Sequence, residues 1–167
     1  MRTATLPSSF EFTAPVLFDP EVDDGYMKHF IPIPDAVARS LDAAGAVRLT
    51  GTLDDRTFRR AMHRRPDGTR CLKFGRAWLR EAGLSDGTAV HVTLGPDPDP
   101  DHVDLPDELQ AALEADPEAA AAWQSLTPGR QRTLSYGVTR AKRSATRQRR
   151  AAAVLEEVVR LVEDRGA

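Results

Sequence analysis

Cysteine is nearly missing from this 167-residue chain: Cys71 stands alone, so no intrachain disulfide framework holds it together. Long apolar runs are missing too, and none approaches the length that spans a bilayer. The N-terminus lacks the basic-then-apolar order of a secretory leader. Integral membrane insertion is therefore not expected, and a reducing cytoplasm is the expected compartment. Aromatics make up 6% of the residues, too few for the stacking surfaces that bind single-stranded nucleic acid. There is no phosphate loop, zinc-ligand spacing, nucleophile elbow or dinucleotide fingerprint. His29, His63 and His91 are widely spread, and Cys71 has no histidine near it in sequence. No catalytic residue, metal or cofactor is assigned.

What is present is a strong polarisation of charge. The net charge is only -2, which disfavours a general nucleic-acid binder. Yet residues 129–150 hold eight basic side chains and no acidic one: Arg130, Arg132, Arg140, Lys142, Arg143, Arg147, Arg149 and Arg150. Residues 97–118 hold nine carboxylates and no Lys or Arg. A cationic surface for anions is indicated, with an acidic segment able to neutralise it internally. A second cluster, Arg59, Arg60, Arg64, Arg65 and Arg70, surrounds the turn Pro66-Asp67-Gly68 and forms a second candidate cationic patch.

The first module is expected over residues 1–95. Phe10, Phe12 and Ala14 alternate as in a half-buried strand, and Pro15 weakens that strand or puts it at an edge. An acidic turn over 19–25 precedes a strand from Tyr26 to Ile33. Asp35 opens a short helix carrying Ala38 and Leu41, and Gly45 ends it. Leu53-Asp54-Asp55 marks a hairpin turn. Cys71, Leu72 and Phe74 give another strand, Trp78 and Leu79 a second short helix, and residues 89–94 a last alternating strand. Short strands, frequent turns and two short helices predict a small closed β-barrel, so the chain as a whole is expected to be α+β.

The ordered blocks Phe10, Phe30-Ile31-Pro32-Ile33-Pro34, Gly51-Thr52-Leu53-Asp54, Asp67-Gly68 and Leu84-Ser85-Asp86-Gly87-Thr88-Ala89-Val90 resemble the DUF1905 domain, which implies a small barrel. Met27-Lys28-His29-Phe30 stands where that family usually has an aromatic, and Ile33 where it has leucine.

Residues 96–102 read as an acidic, Pro-rich, exposed linker, because Pro96, Pro98 and Pro100 alternate with aspartates. A helical module is expected over 103–167. Pro106 lies at the first turn of a helix whose inward face is Leu109, Ala112 and Leu113. Asp116-Pro117 starts a second helix with Ala120, Trp123 and Leu126 on one stripe. Thr127 caps a third, packed by Leu134 and Val138. A last helix is expected from about 139 to 163. On a wheel of about 100° per residue, Ala141, Ala145, Gln148, Ala152, Leu155, Val159 and Val162 share its apolar side. Lys142, Arg143, Arg149 and Arg150 point away, and Arg147 sits at the border. The basic start and acidic end reverse the order that a helix dipole prefers.

Leu105-Pro106, Trp123, Leu126, Pro128, Arg130 and the run Ala141-Lys142-Arg143-Ser144-Ala145-Thr146-Arg147-Gln148-Arg149-Arg150 resemble the bacteriocin-resistance, YdeI/OmpD-associated domain. A barrel of the preceding kind often comes before that domain. The resemblance brings no reaction with it. Leu134 stands where the family often has an aromatic, Gly137 where it has tryptophan, and Ala145 where it has glutamate.

The function expected is noncatalytic binding or regulation. Arg130, Tyr136, Lys142, Arg143, Thr146, Arg147, Arg149 and Arg150 are the candidate ligand-binding residues, for an anionic small molecule or an acidic protein surface. Direct DNA or RNA binding is the alternative, and an enzyme acting on a phosphorylated substrate is a less favoured one. Tyr136 and Thr146 would then donate to phosphate, but neither has an activating base. Arg147 is expected either to pair with a carboxylate of residues 97–118 or to bind an external anion. Arg150 is expected to depend less than Arg147 on internal packing.

Overall fold

Residues 9–21 and 27–166 are described by the computed structural model, which divides into two units, Met1–Pro100 and Asp101–Ala167. Tyr26 and residues 22–25 of the expected acidic turn lie outside the described residues. The architecture is α+β, with two antiparallel sheets and six helices among the described residues. None of the described helices is long and apolar enough to cross a membrane.

The first unit runs β1 (Phe10–Pro15), β2 (Leu17–Phe18), β3 (His29–Pro32), α1 (Asp35–Ala43), β4 (Arg48–Leu53), β5 (Arg56–Ala61), β6 (His63–Arg64), β7 (Arg70–Phe74), α2 (Arg76–Glu81) and β8 (Ala89–Pro96). One sheet has the order β1-β8-β4-β5, the other β2-β3-β7-β6. The chain passes from the first sheet to the second through Val16 alone, and again through Met62 alone. Alternation places Ala14, Leu49, Leu53, Val90, Val92 and Leu94 inward, where they pack with Ile31, Leu72 and Phe74 from the other sheet.

Two glycine positions decide local geometry. Gly51, on a strand paired on both sides, faces Leu94 and Phe58, and a Cβ there would lie 1.9 Å from the Thr93 carbonyl oxygen. Close approach of two backbones requires glycine. Gly83, at φ +72°, ends α2 in a Schellman motif: its N–H donates to the Arg80 carbonyl and the Leu84 N–H to that of Leu79.

The stretch expected to be an exposed linker is anchored at its start. β8 continues through Pro96, which faces Leu49, and the Asp97 N–H donates to the Arg48 carbonyl at 2.9 Å. The Asp97 side chain is 0% exposed and lies 3.2 Å from Arg59 Nε and 3.9 Å from Arg48 Nε. Local Pro/Asp content read as solvated linker, but two arginines of the neighbouring strands draw the carboxylate inward.

The second unit holds α3 (Asp107–Ala115), α4 (Pro117–Gln124), α5 (Pro128–Thr139) and α6 (Ser144–Gly166). Asp116 caps α4 by accepting from the Ala119 N–H, and Thr127 caps α5 by accepting from the Arg130 N–H. Leu109, Leu113, Trp123, Leu126, Leu134 and Val138 are buried together. Two expectations are corrected here. The last helix starts at Ser144, and Arg140–Arg143 break it from α5. Its buried stripe is Ala151, Val154 and Val158, whereas Ala145, Gln148 and Ala152 are exposed. Alanines on both flanks made the wheel ambiguous, and the contacts with α3, α4 and α5 select the stripe one residue away.

Candidate functional site

The spacing 147, 151, 154, 158 places Arg147 at the head of the buried stripe of α6, not at its border. Its Nε donates to Glu108 Oε1 at 2.8 Å, and its Nη1 donates to the carbonyls of Ala141 at 3.2 Å and Lys142 at 3.0 Å. One guanidinium therefore joins α3 to the break between α5 and α6. The Ser144 hydroxyl donates to the same Glu108 oxygen at 3.0 Å. Of the two expectations for Arg147, the geometry shows the internal carboxylate.

Glu108 is the residue that sequence reasoning missed. In an acidic run of nine similar carboxylates nothing singles it out. α6 has no acidic residue in its first turn, and Glu108, at the start of α3, brings one to the first turn of α6 from outside. The reversed charge order within α6 is offset in this way, because an anion at a helix N-terminus is stabilising. The Glu108 carboxyl is held below its usual value by its own backbone N–H, then by the Arg147 guanidinium and the Ser144 hydroxyl.

The neighbouring cations divide into two groups. Arg150 Nη1 donates to the Gly137 carbonyl at 2.8 Å, capping the last turn of α5. Arg150 thus makes one such side-chain contact where Arg147 makes three. Arg130 pairs with Glu157 across the α5–α6 contact. Both pairs fit one antiparallel register of α5 and α6. Lys142 and Arg143 lie in the break, outside any helix, and are exposed. Among the described residues no carboxylate is paired with either. Arg149 is exposed, with Nη2 3.5 Å from the Thr146 hydroxyl. Tyr136 is 46% exposed on α5.

The members of the second cluster take different partners. Arg59 lies against Asp97. Arg60 is stacked over Phe74 and Trp78, at 5.3 and 6.0 Å from the ring centroids. Arg65 lies 3.9 Å from the Phe30 centroid and 2.9 Å from Asp19. Arg70 forms a fork on Asp42 at 2.8 and 3.2 Å. Arg64 is exposed on β6. Arg59 and Arg60 belong to one sheet, Arg64 and Arg70 to the other.

Cys71 is fully buried on β7, and burial pushes its thiol pKa up despite Arg65 and Lys73 nearby. It is not poised as a nucleophile. Among the described residues no group of three or more His, Cys, Asp or Glu is arranged to hold a metal ion. His91 and His102 pair with Glu11 and Asp104.

The family comparisons agree with the two-unit division. Residues 12–94 match the model of the domain of unknown function DUF1905. Residues 102–160 match that of the bacteriocin-protection, YdeI or OmpD-associated domain. No curated protein matches the chain.

Proposed function

For a chain that carries a DUF1905 domain followed by a YdeI/OmpD-associated domain, we propose noncatalytic binding of an anionic small molecule or acidic protein surface. The binding groups are Lys142, Arg143 and Arg149, at the break between α5 and α6. The observation that carries this reading is the division of labour there. Arg147 and Arg150 are spent on backbone carbonyls and Glu108, while Lys142 and Arg143 extend into solvent with no carboxylate partner among the described residues. Arg147 and Arg150 hold the break in shape and are positioning residues. The raised thiol pKa of Cys71 is in keeping with a binding role. A cytoplasmic location belongs to the same reading.

The test is calorimetric titration of the full chain at low salt with inorganic pyrophosphate, a polyglutamate peptide and duplex DNA. Binding of pyrophosphate or polyglutamate should be lost in K142Q/R143Q/R149Q with an unchanged melting temperature. No binding of either probe overturns the reading. Binding of the duplex alone would replace it with the nucleic-acid alternative.

The sheets of the first unit also support a closed barrel. If β1–β2 and β5–β6 are each one strand bent at Val16 and Met62, the pairings β8-β1, β2-β3, β3-β7, β7-β6, β5-β4 and β4-β8 return to their starting strand. Uniform amide-exchange protection of all these pairs would support closure, and rapid exchange along one seam would refute it.

A further inference from the structure

We propose that the first unit holds a second binding site, a cleft of about 570 Å³ beside α2 that takes a small organic carboxylate. The volume falls in the range of about 300–1,000 Å³ typical of ligand pockets. It is lined by Arg76 and Arg80 of α2, by the buried Leu79 and Leu84, and by His29 and Asp86.

Three observations select the ligand. Arg76 and Arg80 are exposed and four residues apart, so they share one face of α2. Five other arginines of this unit lie against carboxylates, Arg48 and Arg59 on Asp97, Arg56 on Glu81, Arg65 on Asp19 and Arg70 on Asp42. Among the described residues none is paired with Arg76 or Arg80. A guanidinium pair of this kind suits a carboxylate by fork-shaped hydrogen bonding.

Asp86 sets the charge of the ligand. His29 is 7% exposed, and its Nε2 lies 2.6 Å from Asp86 Oδ1, while its Nδ1 is buried with no partner. The tautomer that fits carries its proton on Nε2 and donates it to Asp86. With Nε2 engaged and Nδ1 shut away, His29 is a positioning residue for Asp86 and not a general base. The site thus presents two arginines and one carboxylate, which a monoanion balances and a phosphate dianion does not. Leu79 and Leu84 give the apolar part of that monoanion an apolar lining.

The rim is already fixed. The Schellman motif at Gly83 orients Leu84. The next turn closes through the Thr88 N–H on the Ser85 carbonyl at 3.1 Å, and the Gly87 N–H donates to the Val16 carbonyl at 2.8 Å. The backbone that carries Asp86 is thus ordered before a ligand arrives, and the ordering cost left is that of the two arginine side chains.

The experiment is titration of the isotope-labelled full chain with benzoate, acetate and inorganic phosphate, followed by amide chemical shifts. Benzoate should give saturable shifts at Arg76, Arg80, Ser85 and Asp86, and acetate weaker binding at the same positions. R76Q/R80Q should weaken benzoate by at least about tenfold, as expected for losing a charge-assisted hydrogen bond, with an unchanged melting temperature. Asp86→Asn keeps an acceptor for His29 and removes the repelling charge, so it should tighten benzoate roughly threefold. Absence of saturable shifts there, phosphate binding as tight as benzoate, or weaker binding in Asp86→Asn would each overturn the proposal. The cleft and the α5–α6 break belong to different units, so failure of one leaves the other reading standing.

Discussion

The two cationic clusters look alike in sequence and end differently in space. Around the Pro66-Asp67-Gly68 turn, Arg59, Arg65 and Arg70 each reach a different carboxylate, and Arg60 covers aromatic rings. Around the α5–α6 break, Arg147 and Arg150 turn onto backbone carbonyls while Lys142 and Arg143 stay in solvent. The density of positive charge along a chain therefore does not locate a binding surface. What decides is which cations find a carboxylate or carbonyl once the elements pack.

The largest effect expected from testing this comparison is in the cluster around the Pro66-Asp67-Gly68 turn. Asp97→Ala removes a carboxylate with no exposed side-chain surface from between Arg48 and Arg59. Breaking a buried ion pair on one side costs about 3 kcal/mol. Denaturant unfolding should show that loss in the first unit. A change below about 0.5 kcal/mol would mean that the pairing contributes little and that the cluster around this turn is a solvated surface after all.

Arg147→Ala should come next. It removes hydrogen bonds to Glu108 and to two backbone carbonyls, and charge-assisted bonds of this kind are worth about 2 kcal/mol. Unfolding of the second unit is the readout. A companion prediction concerns pH. The Glu108 carboxyl titrates below its ordinary value of 4.5, so it stabilises the fold above that pH. The contribution falls away as pH drops through the lowered value. In Glu108→Gln the part of the acid transition that begins below about pH 4.5 should flatten. An unchanged acid profile would show that Glu108 is not held by Arg147 and Ser144 in solution.

Much of the fold was legible in the sequence because local chemistry fixes it. Thr127 and Asp116 are caps, Gly45 ends α1, Leu53-Asp54-Asp55 turns a hairpin, and Leu134 and Val138 pack α5. The rest depends on residues distant in sequence. Ser144 has no acidic residue after it to mark a helix start; Glu108 supplies the anion from α3. The stripe of α6 was misplaced because alanines lie on both sides of it, and only the neighbouring helices choose among them. Pro96 and Asp97 look like linker until Arg48 and Arg59 are brought beside them. Of the candidate ligand-binding residues, the helical wheel sets Arg147 apart from Lys142, Arg143 and Arg149, but nothing local shows Arg150 turning onto the Gly137 carbonyl.

The finest test separates two adjacent arginines of α6. Arg150 donates to the Gly137 carbonyl in the last turn of α5 at 2.8 Å, one of the carbonyls that a helix end leaves without an amide partner. Arg149, one position earlier, reaches only the Thr146 hydroxyl at 3.5 Å, the far limit of a hydrogen bond and within the same helix. Residue type, intrinsic helix propensity and net charge change identically in Arg149→Ala and Arg150→Ala. Any difference in stability between them therefore reports the bond across α5 and α6. Arg150→Ala should lower stability by about 1 kcal/mol and Arg149→Ala by less than about 0.5 kcal/mol. In pyrophosphate titration the order should invert, with Arg149→Ala losing more affinity than Arg150→Ala. Equal stability losses would mean that the Gly137 contact does not persist in solution. Equal losses of affinity would mean that the cations of the break act as one diffuse surface, with no division between those that hold it and those that bind.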